Sequence, residues 1–78
     1  MATAAVQRLK RGLAGRIAEV RGQRSQRRFA SELGVFQQNI NRYANGATPH
    51  VDFLITLALN EKVSVDWLLL GKGARKLK

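Results

Sequence analysis

The stretch that decides the fold runs from Ser25 to Gly46 and reads SQRRFASELGVFQQNINRYANG. Ser25 is a favourable N-cap and Gly34 permits the left-handed conformation that ends a helix, so a short helix is predicted between them. One residue later a second short helix is predicted, from about Phe36 to Tyr43, before an Asn-Gly pair turns the chain. Two short helices joined by a tight, glycine-containing turn are typical of a helix-turn-helix.

Three further helices are predicted around this pair, which makes the fold all-α, a compact bundle of five short helices. Apolar residues recur at steps of three and four from Val6 to Val20, which is the spacing of one helix face. Gly22 is predicted to end this first helix. No segment alternates apolar and polar residues as a half-buried strand does, and no internal repeat is present.

The fourth and fifth helices are predicted to complete the core. Pro49 is predicted to open the fourth helix, which is apolar nearly all round and is therefore expected at the centre of the bundle. Ser64 is predicted to cap the fifth helix, Val65–Leu70, where Trp67 and the leucines around it are expected to close the core. The predicted core residues of the fourth helix are Val51, Leu54, Ile55 and Ala58 on one face, with Phe53 and Leu57 beside them.

Length and composition limit what the chain can be. Its 78 residues suffice for one small domain, predicted as a helix-turn-helix domain over residues 1–73 with a basic tail or the start of a linker over residues 74–78. Because the chain has no cysteine and a single histidine, no disulfide, metal site or cofactor is predicted. The lack of cysteine is compatible with a reducing cytoplasm, which is the predicted location. No apolar run approaches the ~20 residues of a membrane span.

The charge is strongly positive and unevenly distributed. The net charge is +9, with +7 in residues 1–42, −2 in residues 43–71 and +4 in residues 72–78. This pattern favours a polyanionic partner, of which nucleic acid is the first candidate. A basic module that binds an anionic membrane surface is the second candidate. It is disfavoured because the first helix contains several glycines and no bulky aromatic residue.

The acidic residues do not form a catalytic group. The chain holds five Asp and Glu and one His, and no pair of them has catalytic spacing. Asp52 and Asp66 both lie at predicted helix starts, where the helix dipole accounts for an acidic residue. We therefore predict no enzymatic activity, no catalytic residue and no small-molecule substrate.

A longer pattern is more specific than the helix spacing alone. It comprises Ser25-Gln26-x-x-Phe29-Ala30-x-x-Leu33-Gly34-Val35, Ile40-x-Arg42-Tyr43-x-x-Gly46, Pro49, and Val63-Ser64-Val65-Asp66-Trp67-Leu68-Leu69-x-Gly71. This pattern, which covers about Leu13 to Gly73, resembles the Cro/C-repressor family of helix-turn-helix domains, also described as XRE-like or lambda-repressor-like. Within that family it is most similar to the N-terminal DNA-binding domains of temperate-phage repressors.

The resemblance implies a transcriptional regulator of the phage-repressor type that binds double-stranded DNA sequence-specifically. A weak homodimer, with Leu68 and Leu70 as expected contacts, would bind a palindromic operator with the third helix in the major groove. An antitoxin-type regulator with the same domain is the alternative. Because amide side chains pair with adenine and arginine with guanine, the expected base-contact residues are Gln37, Gln38, Asn41 and Arg42, together with Phe36. The expected phosphate-contact residues are Arg24, Gln26, Arg27, Arg28 and Asn45. For Gln26 the resemblance also allows a second role, which is to buttress Gln37.

Two departures from the family pattern bear on the site. Phe36 stands where a Ser or Thr usually caps the third helix. Its ring is expected either to fold back over Val35 or a neighbouring helix, which is favoured, or to contact a thymine methyl. Ala44 stands where a Glu usually pairs with an Arg of the first helix, here Arg21. Arg21 is therefore expected to face DNA or Glu32.

Overall fold

The structure, a computed structural model, describes residues 3–77. Met1, Ala2 and Lys78, which the sequence assigns to the predicted domain and its tail, lie outside the described residues. Within residues 3–77 the chain forms five helices and no strand, so the all-α prediction is confirmed. The helices are α1 (Ala4–Arg21), α2 (Gln26–Leu33), α3 (Gln37–Ala44), α4 (Val51–Glu61) and α5 (Val65–Leu70).

The two serines predicted to cap helices do so. The hydroxyl oxygen of Ser25 accepts a hydrogen bond from the backbone N–H of Arg28 at 3.0 Å, and that of Ser64 accepts from the N–H of Trp67 at 3.3 Å. Gly34 follows α2 with φ 72°, a left-handed conformation that glycine adopts readily. The helix-turn-helix therefore forms where the sequence predicts it, with α2 packed on α3.

The start of α4 differs from the prediction. His50 is the N-cap, with an extended backbone at φ −67° and ψ 150° and no side-chain cap hydrogen bond. Because extended His50 separates Pro49 from the first helical residue, Val51, Pro49 belongs to the loop between α3 and α4. The prediction that Pro49 opens the helix is therefore wrong by two residues.

The core is one cluster of apolar side chains to which all five helices contribute. Ala30 and Leu33 of α2 and Ile40 of α3 all belong to it. Tyr43 of α3 lies against Phe53 of α4, with ring centroids 4.7 Å apart and ring planes tilted by 53°. This contact fixes α3 on its buried side. The cluster consists of Leu13, Ile17, Phe29, Ala30, Leu33, Ile40, Tyr43, Phe53, Leu57, Val63 and Leu68.

The buried side of α4 also differs from the prediction. Phe53 and Leu57 are buried, and so is Ala58 as predicted, whereas Val51 and Ile55 are exposed. A helix that is apolar nearly all round carries no periodic signal that tells which side packs. The placement of α4 at the centre of the bundle is therefore wrong, and one apolar side of this helix faces solvent.

Leu68, rather than Trp67, is the residue of α5 that closes the core. Leu68 is 1% exposed, while Trp67 is only partly buried and packs against the core from its edge. A side chain as buried as Leu68 presents no surface to a second copy, so its expected role as a dimer contact is wrong. Leu70, the other expected contact, remains exposed.

The described part of the basic tail is paired with the domain through its backbone. The N–H of Ser64 donates to the carbonyl oxygen of Arg75 at 2.8 Å, and the N–H of Leu77 donates to that of Lys62 at 3.0 Å. The side chain of Leu77 stays exposed. Residues 75–77 are thus not a freely solvated tail, because their backbone groups bond to the segment that links α4 to α5.

An arginine that the sequence did not single out joins α1 to α5. Arg16 Nε donates to the backbone carbonyl of Leu68 at 2.6 Å. Its Nη2 donates to the carbonyls of Leu69 at 3.3 Å and Leu9 at 3.0 Å. The last carbonyls of a helix have no partner within it, so Arg16 satisfies the end of α5. Gly12 makes room for the guanidinium, since a Cβ there would lie 2.7 Å from Arg16 Nη1.

Arg16→Met is expected to destabilise the protein by about 2–3 kcal/mol, because hydrogen bonds from charged groups contribute roughly 1.5–3 kcal/mol. The free energy of unfolding in urea measures the effect. Arg8→Met, at an exposed position of the same helix, is the matched control and should change that free energy by less than about 0.5 kcal/mol. Equal stabilities of the two variants would contradict the role of Arg16.

Candidate nucleic-acid interface

One face of α3 is polar and exposed, and most of its side-chain hydrogen-bonding groups are unpaired. Gln37, Gln38, Asn41 and Arg42 are all exposed, while the opposite face of the helix is held in the core. Gln37 and Asn41 lie one turn apart, as do Gln38 and Arg42, so the four side chains form two adjacent rows. Among the described residues, neither the glutamines nor Arg42 make a side-chain hydrogen bond. The arrangement brings the four predicted residues together with most of their donors and acceptors free.

The chemistry of this face suits base edges in a major groove. A glutamine or asparagine amide presents a donor and an acceptor side by side, which matches the edge of adenine, and the arginine fork matches guanine. Ile40 and Tyr43 are 2% and 3% exposed and hold the helix from behind. The face is therefore presented by a rigid element, which precise hydrogen bonding requires.

Phe36 immediately precedes α3 and is open to solvent. It is the N-cap of α3, extended at φ −74° and ψ 138°, and it makes no side-chain cap hydrogen bond. Its ring is 73% exposed. The favoured expectation, that the ring folds back over Val35 or a neighbouring helix, is therefore wrong. A large apolar side chain is instead displayed beside Gln37.

Arg24 is engaged within the domain. Its Nη1 donates to Glu32 and its Nη2 to Glu61, each at 2.7 Å. Nη2 also donates to the carbonyl of Val20 at 2.7 Å, and Nε donates to that of Arg21 at 2.9 Å. Because every nitrogen of the guanidinium already has an acceptor, Arg24 is held within the domain and is not proposed to contact phosphate. It ties α2 to the ends of α1 and α4.

The hydrogen bonds of Arg24 and of Glu32 shift the pKa of both groups. Hydrogen bonds to Glu61, and then to Glu32, raise the pKa of Arg24 above its ordinary value. Hydrogen bonds from Arg24 and Arg28 lower the pKa of Glu32. Both shifts favour the charged forms of Arg24 and Glu32.

The other predicted phosphate contacts on α2 lie in three different settings. Arg27 is exposed and makes no side-chain hydrogen bond among the described residues. Arg28 is exposed, and its Nε pairs with Glu32 at 2.9 Å, one turn away. Gln26 is partly buried at the first position of α2. Arg27 thus has its whole guanidinium free, and Arg28 keeps its two Nη groups.

Asn45 has a structural role at the end of α3. Its Nδ2 donates to the backbone carbonyl of Asn41 at 2.8 Å and lies 3.4 Å from the Oδ1 of the same residue. The bond satisfies a terminal carbonyl and steadies Asn41 within the polar face. Because Nδ2 of Asn45 donates to both oxygens of Asn41, a phosphate contact by Asn45 stays a prediction.

Arg21 does not pair with Glu32. Both carboxylate oxygens of Glu32 are engaged by Arg24 and Arg28, and Arg21 Nε is buried without a hydrogen-bond partner among the described residues. Ala44 supplies no carboxylate. The expectation of an Arg21–Glu32 pair is therefore wrong, and the expectation that Arg21 faces DNA stays a prediction.

Two other kinds of feature, a metal-binding cluster and a membrane-spanning helix, are absent from the described residues. Within residues 3–77, no three His, Asp or Glu residues lie close enough together to hold a metal ion. None of the helices described is both long enough and apolar enough to cross a membrane.

Comparison with known proteins places these features in one family. A family model described as "Bacteriophage CI repressor helix-turn-helix domain" matches residues 12–76. The matched span includes α2 to α5 and every residue of the exposed polar face. No curated protein and no solved structure matches the chain significantly.

Proposed function

Because the chain belongs to the bacteriophage CI repressor helix-turn-helix domain family, and is therefore a DNA-binding regulator domain, we propose that α3 reads the sequence of a double-stranded operator. The observation that carries the proposal is the exposed polar face of α3, in which the amides of Gln37 and Gln38 and the guanidinium of Arg42 are free while the opposite face is buried. The charge of +7 in residues 1–42 supplies attraction to the phosphate backbone. No catalysis and no cofactor form part of the proposal.

Each part of the interface has a distinct task. In the major groove, Gln37, Gln38 and Asn41 pair with base edges, most favourably adenine, and Arg42 pairs with guanine. The phosphate contacts position the helix without reading sequence. They come from Gln26, Arg27, Arg28 and Asn45, and Arg24 holds α2 in place behind them.

The proposed repressor binds a palindromic operator as a weak homodimer. Helix-turn-helix dimers read two half-sites about 34–36 Å apart, one turn of the double helix. The domain measures 34 × 29 × 21 Å, so two copies fit side by side on adjacent half-sites of one DNA face. Each copy then presents one α3 to one half-site.

Operator binding is expected to weaken steeply with salt, because every neutralised phosphate adds about −0.9 to the slope of log affinity against log salt. Arg27→Ala and Arg28→Ala should each bring the slope closer to zero by about one. Both should lower affinity evenly across DNA sequences. Lys72→Ala, outside the proposed interface, is the control and should leave the slope unchanged. Titrations of labelled duplex at several salt concentrations measure this slope. A salt-independent affinity would contradict the proposal.

Phe36 is proposed to contact the methyl group of a thymine, an apolar form of base readout. Phe36→Ser should keep or increase stability by about 0.5–2 kcal/mol, since the ring is exposed and a serine can cap α3. The same variant should lose affinity only for operators with thymine at one position. Replacing that thymine by uracil should reproduce the loss in the wild type. A variant that distinguishes thymine from uracil as well as the wild type does would contradict the contact.

A further inference from the structure

The exposed side of α4 carries an apolar stripe. Val51, Ile55 and Leu59 are 66%, 54% and 76% exposed, and their spacing of four residues places them in one row along the helix. The buried residues Phe53 and Leu57 lie on the other side. The three side chains of this stripe are not part of the core, and none of them lies on the polar face of α3.

We propose that this α4 stripe is the surface on which a second copy of the chain docks, with the two α4 helices packed antiparallel across a two-fold axis. The proposal rests on the proposed function, in which two copies share one operator. In this arrangement Ile55 lies on the axis against the second copy's Ile55, and Val51 lies against the second copy's Leu59. The stripe is therefore complementary to itself, as a two-fold interface requires.

Charge at the two ends of the stripe selects the antiparallel direction. Asp52 stands beside Val51 at the start of α4, and Lys62 follows Leu59 just past its end. Both are exposed, and neither forms an ion pair within the described part of the chain. In antiparallel packing, the Asp52 of each copy lies near the Lys62 of the other copy, so two such contacts form. Parallel packing would bring like charges together.

The charge of the whole chain favours the same surface. Residues 43–71, which include α4, carry a net charge of −2, while the segments before and after them carry +7 and +4. Two copies of a strongly basic chain therefore meet with least repulsion through this middle segment. An anionic membrane is the weaker occupant, because Asp52 and Glu61 lie on the helix that would have to approach it.

The size of the stripe indicates a weak dimer. Three aliphatic side chains on each copy bury far less than the ~1,600 Å² of a standard stable interface. Such a contact becomes effective when two copies sit on adjacent half-sites, because the DNA raises their effective concentration. The dimer is therefore expected mainly on the operator or at high protein concentration.

Cross-linking tests the pairing directly, because the chain has no cysteine of its own. Ile55→Cys should form a disulfide-linked dimer at least tenfold faster than the control Val65→Cys, whose position on α5 is similarly exposed. An equimolar mixture of Val51→Cys and Leu59→Cys should yield the mixed dimer in excess of the twofold ratio over either homodimer that random pairing gives. Equal rates for Ile55→Cys and Val65→Cys, or a mixture without excess mixed dimer, would overturn the proposal.

Charge exchange provides a second test that does not depend on disulfide formation. Asp52→Lys and Lys62→Asp should each weaken dimerisation at least threefold in sedimentation equilibrium, and the double variant should recover it, provided that circular dichroism shows all three folded. No recovery of dimerisation in the double variant would overturn the proposal.

Affinity for a single half-site is measured in parallel. Unchanged dimerisation of both single variants, with intact half-site binding, refutes only the docking surface. Absence of half-site specificity in the wild type, with cross-linking as expected, refutes the proposed function.

Discussion

The Phe29→Ala variant is expected to be largely unfolded at 25 °C. Phe29 is completely buried in α2, and truncation of a buried aromatic side chain costs about 3–5 kcal/mol. The free energy of unfolding of a small domain is expected near the lower end of the ~5–15 kcal/mol range. The loss of the ring therefore removes most of it. The ring also lies 4.8 Å from the guanidinium carbon of Arg24, so its loss loosens the ion pairs that hold α2. Circular dichroism during urea denaturation measures the change.

Phe36→Ala is the matched control for this prediction. It makes the same substitution seven residues later, at a ring that is largely exposed, and should change the free energy of unfolding by less than about 0.5 kcal/mol. Equal destabilisation by the two variants would show that burial does not distinguish these phenylalanines. A fully folded Phe29→Ala variant would show that the core does not depend on α2.

The second large effect is expected at α3. Gln38→Ala combined with Arg42→Ala should lower affinity for the cognate operator by about 2–6 kcal/mol, since each lost base contact costs about 1–3 kcal/mol. Affinity for a scrambled duplex should fall much less. Both side chains are exposed, so the variant should remain as stable as the wild type. Titrations on the two duplexes measure the difference in specificity.

The chain offers a close control for the double variant. Gln7 and Arg11 form the same pair of residue types at the same four-residue spacing, exposed on α1 rather than α3. Gln7→Ala combined with Arg11→Ala should lower affinity for both duplexes by similar factors, because it removes charge and no base contact. If this variant lost as much specificity as the α3 variant, base readout could not be assigned to α3.

Local signals were sufficient to predict the helix-turn-helix. Ser25 caps α2 and Gly34 ends it through interactions within a few residues, so the local sequence is sufficient to predict both ends of this helix. The same holds for Ser64 at the start of α5. The expected base-contact positions on α3 came from the family resemblance, and the structure exposes them because Ile40 and Tyr43 occupy the buried side of that short helix.

Features that depend on distant parts of the chain were not predictable in this way. The sequence predicts a phosphate contact for Arg24. Its partner in the structure, Glu61, is 37 residues away and comes close only in the folded domain. Arg16 bonds to a carbonyl 52 residues away for the same reason. The packed side of α4 is set by its neighbours rather than by its own apolar pattern, and the orientation of the Phe36 ring depends on what lies beside it.

Selection of duplex DNA from a random pool by the purified protein tests the central claim most directly. We expect enrichment of an inverted repeat with half-site centres about one helical turn apart. The Gln38→Ala, Arg42→Ala double variant should lose that enrichment while the Gln7→Ala, Arg11→Ala control keeps it. Recovery of no common sequence by the wild type, or recovery of the same sequence by the α3 double variant, would contradict sequence-specific reading by α3.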